Sequence, residues 1–338
     1  MPESLPHPAA ARPAEPLVSV RMLSKHFGGQ AGLFSRRDAP VVRAVDGVSF
    51  DIARGETLGV VGESGCGKST TGRLLIRMLD ATGGHVLYEG VDLLQLDRQR
   101  MREYRRKVSI VFQDPFASLN PRMTVGSIIA EPMDIHGLYR GGERRRRLLE
   151  IMDRVGLPAA YLQRHPHEFS GGQRQRIGIG RALALDPDFV VCDEAVSALD
   201  VSIQAQIINL LDALQRERGL TYFFISHNLA VVRHIADRVA VMYLGSVVEI
   251  APTRELYANP RHPYTHALLS SIPVPVVGAA RERIELQGDL PSPLDPPSGC
   301  RFHTRCPLAK AECKSDDPPL RKVADAQGGA HYVACHFA

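Results

Sequence analysis

Eight consecutive residues, Gly62-Glu63-Ser64-Gly65-Cys66-Gly67-Lys68-Ser69, fit the pattern G-x-x-x-x-G-K-[ST] at every fixed position. A loop of this composition turns successive backbone N–H groups toward a phosphate, and a helix starting at its end adds partial positive charge. Glycine is required where the backbone must approach the anion closely. Lys68 suits the β and γ phosphates and the Ser69 hydroxyl suits Mg²⁺, with Thr70 beside it counted among the nucleotide-binding residues. A second chemical pair, Asp193-Glu194, closes the apolar run Phe189-Val190-Val191-Cys192. Two carboxylates then emerge at the carboxyl end of a strand, where nucleotides sit in open α/β sheets. Asp193 is suited to holding Mg²⁺, and Glu194 to polarising an attacking water as general base.

These groups need a frame of alternating strands and helices. Short apolar runs over 17–23, 48–52 and 57–61 read as strands, and 68–79 has helical spacing, with Leu74, Leu75, Met78 and Leu79 on one side. The Gly-rich loop therefore joins a strand to a helix. From 114 to about 184 the pattern becomes helical, with pieces over 125–133, 143–155 and 171–183 broken by Pro121, Pro132, Pro158 and Pro166. A strand over 189–193, a helix over 201–217, a strand over 221–226, a short helix and a strand over 238–244 follow. The alternation predicts an α/β fold with a largely parallel sheet and a helical insert. Beyond about 251 a Pro- and Cys-rich extension begins.

Composition narrows the classes further. With 338 residues, 44% hydrophobic and 23% charged, the chain is no collagen, disordered chain or disulfide scaffold. A formal net charge of +4 argues against a nucleic-acid binder that relies on bulk charge. No run approaches the roughly 18 uninterrupted apolar residues of a membrane-spanning helix. The first residues lack the basic start and apolar centre of a secretory signal, which places the expected location in the cytoplasm. Residues 1–16, rich in Pro and Ala, read as a loose tail.

The cysteines are unevenly placed. Cys66, inside the phosphate loop, and Cys192, in an apolar strand, read as small packing residues. The other four are spaced Cys300-x₅-Cys306-x₆-Cys313-x₂₁-Cys335. In a reducing compartment four such thiolates suit either a [4Fe–4S] cluster or a tetrahedral Zn²⁺, with His303 and His336 as substitute ligands. The spacing matches neither a zinc ribbon nor a ferredoxin.

Between the two phosphate motifs lies Phe169-Ser170-Gly171-Gly172-Gln173, running into Arg174-Gln175-Arg176, which resembles the signature sequence of ATP-binding cassette (ABC) ATPases. Gln113, in Val111-Phe112-Gln113-Asp114-Pro115, matches that family's Q-loop; Ser197-Ala198-Leu199-Asp200 matches its D-loop, and His227 its switch histidine. The resemblance implies that Ser170, Gly171, Gly172 and Gln173 form an anion site for the γ-phosphate held by an opposite subunit. It further implies that Gln113 senses the nucleotide and joins Ser69 and Asp193 around Mg²⁺, that Asp200 organises the dimer interface, and that His227 contacts the γ-phosphate. Phe27, or less favourably His26, resembles the residue that stacks on adenine. Two positions depart from the family pattern: Ala195 stands where Pro is usual and Phe169 where Leu is usual. Neither removes a ligand or a charge, so hydrolysis is expected to survive.

Asn259-Pro260-Arg261-His262-Pro263-Tyr264-Thr265, then Leu268-Leu269, resembles the segment after the ATPase core in the oligopeptide/dipeptide branch of bacterial ABC importers, as does the stretch from Gln113 to Pro121. The implied organisation is a flexible tail over 1–16, an ABC ATPase over 17–250 with its helical part at about 114–184, and the branch's extension over 251–338. The implied activity is ATP hydrolysis driving peptide import, at the cytoplasmic face of the membrane. The implied partners are a second ATPase subunit, favoured as a paralogue, two transmembrane permease subunits and an extracytoplasmic substrate-binding protein, with no nucleic acid. Resemblance also favours the [4Fe–4S] cluster on the four cysteines. His262, His266 and Tyr264 read as packing and capping. A soluble ABC ATPase acting on nucleic acid or translation is the rival; a single cassette without coiled-coil heptads disfavours it. A metal-sensing regulator built on the cysteines is disfavoured by the intact hydrolytic set.

Overall fold

The computed structural model describes residues 15–28, 40–272, 284–324 and 330–338. Most of the expected 1–16 tail lies outside the described residues. Two long strands, β1 (Val18–Phe27) and β2 (Val42–Ile52), pair antiparallel with Val18 opposite Ile52. The strand β3 (Thr57–Val61), buried at all five residues, runs through the Gly-rich loop into α1 (Lys68–Leu75). Next, β4 (Gly83–Tyr88) and β5 (Val91–Asp92) complete a four-stranded antiparallel sheet ordered β2-β1-β4-β5. After α2 (Arg98–Tyr104) and β6 (Val108–Val111) come three helices, α3 (Val125–His136), α4 (Gly141–Arg154) and α5 (Gly171–Ala182). The α/β alternation resumes with β7 (Phe189–Asp193), α6 (Val201–Arg218), β8 (Thr221–Ile225), α7 (Leu229–Ile235) and β9 (Arg238–Tyr243). The last elements are β10 (Ser246–Pro252), α8 (Thr253–Ala258), α9 (Pro263–Ser270), α10 (Glu312–Ser315), β11 (Arg321–Val323) and β12 (His331–Val333).

Among the described residues the main sheet has eight strands in the order β11-β12-β10-β9-β3-β8-β7-β6. The block from β9 to β6 is parallel, and β3, β7 and β8 are buried along their whole length. Burial on both faces explains why these strands read as continuous apolar runs rather than alternating ones. Along β7, Phe189 and Val191 pack with α1 and the antiparallel sheet, while Val190 and Cys192 face the core shared with α3 to α6. Burial pushes the Cys192 thiol up to about 12, with the charge of Asp193 adding to the effect, in keeping with a packing residue.

Several elements differ from the sequence expectation. The helix expected over 68–79 stops at Leu75, because Arg77 turns left-handed at φ 51° and the Met78 amide closes back on the Arg73 carbonyl at 2.8 Å. Pro132 does not break its helix but lies inside α3, whose Ile128, Ile129 and Met133 are fully buried; that apolar face outweighs one lost amide donor. The extension is no mere appendage: Glu249 and Ile250 on β10 pair with Val333 and Tyr332 on β12. Two strands of the extension thereby cover the edge that β10 would otherwise expose.

At the start of α9, His262 is 1% exposed and its Nδ1 accepts the Tyr264 amide at 3.1 Å. Burial pushes its imidazole down to about 4, against the opposing pull of Glu249. The unfolded chain then binds a proton near pH 6.5 that the folded chain refuses until about pH 4. Stability from this site is complete above pH 6.5 and falls as pH drops toward 4, by about 3 kcal/mol in all. Urea melts of the wild type between pH 7 and 4 should show this slope, and His262→Asn, which keeps a capping acceptor without titrating, should flatten it.

Candidate nucleotide site

The phosphate motifs converge because each follows the carboxyl end of a parallel strand. The Gly-rich loop leaves β3, Gln113 follows β6, Asp193 ends β7 and His227 follows β8. This is the rim at which open α/β sheets hold ligands. The loop's shape depends on glycine. Gly67 has φ 104°, and a Cβ there would stand 2.2 Å from the Ala44 carbonyl oxygen; Gly62 has φ 150° with the Met242 carbonyl oxygen equally close. No other residue type fits either position without moving backbone. Ser64 and Gly65 are exposed at the loop tip, and Ser69 and Thr70 are half-buried on the first turn of α1.

Lys68 is 5% exposed, and its Nζ donates to the carbonyl oxygens of Gly62 at 2.8 Å and Glu63 at 2.9 Å. Beside it the Ser69 hydroxyl donates to Asp193 Oδ1 at 2.6 Å, so a hydroxyl and a carboxylate, both hard oxygen donors, share one point. Arg73 lies 3.6 Å from the other Asp193 oxygen. Gln113 was expected with this pair, but its side-chain amide instead donates to Glu194 Oε2 at 3.0 Å. His227 Nδ1 meets the same oxygen at 3.3 Å. The three residues expected to be catalytic are therefore joined on one carboxylate oxygen, and Glu194 Oε1 has no donor among the described residues. Glu194 also sits at φ 48°, a left-handed conformation costly for a non-glycine residue. Its amide bonds the Ile225 carbonyl at 3.1 Å and its carbonyl accepts from the Ser197 amide and hydroxyl, which hold it there.

The signature residues form the start of α5. Ser170 caps the helix: its Oγ accepts the Gln173 amide at 3.4 Å while the Gln173 side chain accepts the Ser170 amide at 3.0 Å. Gly171 and Gly172 lie against Leu199 and Ile203, on either side of the exposed Asp200. No hydrogen bond among the described residues joins this turn to the Gly-rich loop. Phe169 is buried edge-on to Tyr161 at 5.2 Å, filling core space, and Ala195 is buried at the turn after Glu194. Phe27 ends β1 and is 40% exposed, with Lys25 Nζ 5.1 Å over its ring.

Three contacts escaped sequence reasoning. The Tyr264 hydroxyl, expected only to pack, accepts the Glu63 amide at 2.9 Å. Arg305 binds both Glu63 carboxylate oxygens, at 2.8 and 3.2 Å. Arg73 beside Asp193 belongs to α1 and follows no motif position. The only signal for Arg305 was its place next to Cys306.

Of the extension's thiols, Cys313 is buried and its carbonyl accepts the Cys300 amide at 2.9 Å. Among the described residues, however, no three His, Cys, Asp or Glu side chains are grouped so as to hold one metal ion. The expected four-cysteine centre is thus not assembled as a single-ion site. Among the described residues no helix is long and apolar enough to cross a membrane.

A glycine-cradled lysine, a Ser–Asp oxygen pair and a capped signature turn on this α/β frame define a P-loop ATPase of the ABC class. The sequence pattern described as "ABC transporter" matches residues 45–197, and that described as "Oligopeptide/dipeptide transporter, C-terminal region" matches residues 248–313. The chain is 55% identical to the oligopeptide transport ATP-binding protein AppF of Bacillus subtilis (strain 168), over 96% of this chain and 98% of that one. The fold is similar to that of the ATP-binding cassette MJ0796, solved as a dimer in a post-hydrolysis state bound to ADP and Pi, with a TM-score of 0.62, 29% identity, and coverage of 70% of this chain and 99% of that one. It is also similar to cbiO1 from Clostridium perfringens, part of the ABC transporter complex cbiONQ, with a TM-score of 0.61, 25% identity, and coverage of 72% and 91%. The chain belongs to the ABC transporter family, as an ATP-binding subunit of its oligopeptide/dipeptide branch, and its ATP hydrolysis, supported by Mg²⁺, is coupled to transport.

Proposed function

We propose that this subunit energises import of oligopeptides or dipeptides from the cytoplasmic face of the membrane. It would work with two transmembrane permease subunits, a substrate-binding protein and a second, paralogous ATPase subunit. The convergence of Gln113 and His227 on Glu194, the residue next to Asp193 of the Ser69–Asp193 pair, carries the hydrolytic part of this reading. Lys68 and the amides of residues 62–69 hold the β and γ phosphates. Ser69 and Asp193 would hold Mg²⁺, which would supply neutralisation of the charge developing on the phosphate oxygens. Glu194 Oε1 takes the proton of the attacking water, while Gln113 and His227 orient the carboxylate and reach the γ-phosphate side.

The signature turn, capped and separate from the loop of its own chain, serves the nucleotide of the partner ATPase; the dimeric state of MJ0796 supports that arrangement. Residues 17–250 act as the ATPase unit, with 114–184 its helical part, and 251–338 as the branch-specific extension. Reconstituting the complex in vesicles tests the proposal: peptide-loaded binding protein should raise ATP turnover several-fold, and no response to any peptide would remove the import reading.

We further propose that Cys300, Cys306, Cys313 and Cys335 hold a [4Fe–4S] cluster that staples the extension. The donor set supports it: Cys300, Cys306, Cys313 and Cys335 are all unbridged and close enough for their charges to act on one another. Protein purified without air should carry iron and acid-labile sulfide with visible absorbance, and Cys306→Ser should lose both; zinc in place of iron overturns the assignment.

A further inference from the structure

The short segment from Cys300 to Cys306 lies across the phosphate loop and grips it from both flanks. Phe302 anchors the segment, 1% exposed, with its ring 5.3 Å from Tyr243 and 5.4 Å from Tyr264. On one flank Arg305, with a side chain only 10% exposed, forms the two-pronged ion pair with Glu63. On the other, Arg301 donates to the Leu244 carbonyl and pairs with Asp46 Oδ2. The next residue, Gly245, donates its amide to the Cys66 carbonyl at 3.0 Å and accepts the Asp46 amide at 2.9 Å. One grip therefore ends on a loop side chain, that of Glu63, and the other reaches loop backbone at Cys66 through Gly245.

Glu63 is the point where the grip meets the nucleotide site. All three of its polar groups are fixed: the amide to Tyr264, the carboxylate to Arg305, and the carbonyl to the Lys68 ammonium. A shift of Glu63 moves the carbonyl that places Lys68. We infer that Arg305 and Tyr264 are positioning residues for ATP binding, presetting the phosphate loop from the extension rather than touching nucleotide. A forked guanidinium on a carboxylate in a largely water-excluded setting has the geometry to do so. The inference rests on the assignment of residues 62–69 to ATP phosphates, which loss of binding in Lys68→Ala tests separately.

The experiment is a double-mutant cycle on the full chain, with ATP affinity measured by titration of fluorescent nucleotide and KM and kcat measured in the transporter complex. Arg305→Ala and Glu63→Gln should each raise the ATP Kd and KM about tenfold, the scale of one charge-assisted pair, with kcat within about twofold. The double variant should be no worse than either single, because both remove the same contact. Arg305→Lys should recover part of the affinity, and Tyr264→Phe, which loses only the hydroxyl, should raise Kd while leaving kcat within about twofold. Unchanged Kd in Arg305→Ala and Tyr264→Phe, or effects of Arg305→Ala and Glu63→Gln that multiply independently, would overturn the inference and leave these residues a purely structural role.

Discussion

Glu194→Gln is expected to lower ATP turnover by about 10²–10⁴-fold, the usual contribution of a general base, while ATP binding persists. The amide keeps the volume of the carboxylate and can still meet Gln113 and His227, whose contacts at 3.0 and 3.3 Å converge on Oε2. What it loses is the basic oxygen, Oε1, which has no donor among the described residues. Binding survives because Lys68, Ser69 and the loop amides are untouched. Stopped turnover with an unchanged ATP Kd, measured on the same preparation, is the diagnostic pair; turnover within about threefold of wild type removes Glu194 as the base.

Lys68→Ala is expected to weaken ATP binding about 100-fold or more, since it deletes the buried ammonium proposed to hold the phosphates and leaves the Gly62 carbonyl without its donor. Lys68→Arg should not restore binding. The planar fork is broader than the compact ammonium, and the cage around it is closed by the Gly62 and Glu63 carbonyls. Titration with labelled ATP in the presence of Mg²⁺ checks this, and an affinity within about threefold of wild type would remove Lys68 from the phosphate site.

The nucleotide chemistry was legible in the sequence because it is local. Residues 62–69 are adjacent, and glycine positions forced by backbone contacts such as Gly67 against Ala44 leave a mark in the residue types. The parallel strands β3, β7 and β8 were legible for a related reason, since burial on both faces leaves no polar position to interrupt them. By contrast, β4, β5, β6 and β10 to β12 escaped. β5, β11 and β12 have two or three residues each, and β4 starts with two glycines, so no period develops. Gln113 was singled out in the sequence but its partner was not: the bond to Glu194 joins residues 81 apart, and nothing in either local pattern points to the other. Tyr264 and Arg305 were illegible for the same reason, because ion pairs and hydroxyl contacts across distant segments carry no spacing rule.

The Tyr264 and Arg305 contacts span 201 and 242 residues back to Glu63, and that span sets an order in time. Contacts of such long range form late, after the intervening chain has been collapsed and its loop entropy already lost. A chain emerging from the ribosome can therefore fold the parallel part of its sheet and form the phosphate loop while that loop is still ungripped. ATP affinity should then rise in a late kinetic phase, after the parallel strands β3 and β6 to β9 have formed, so that a phosphate loop from the first quarter of the chain matures only when the last quarter has docked.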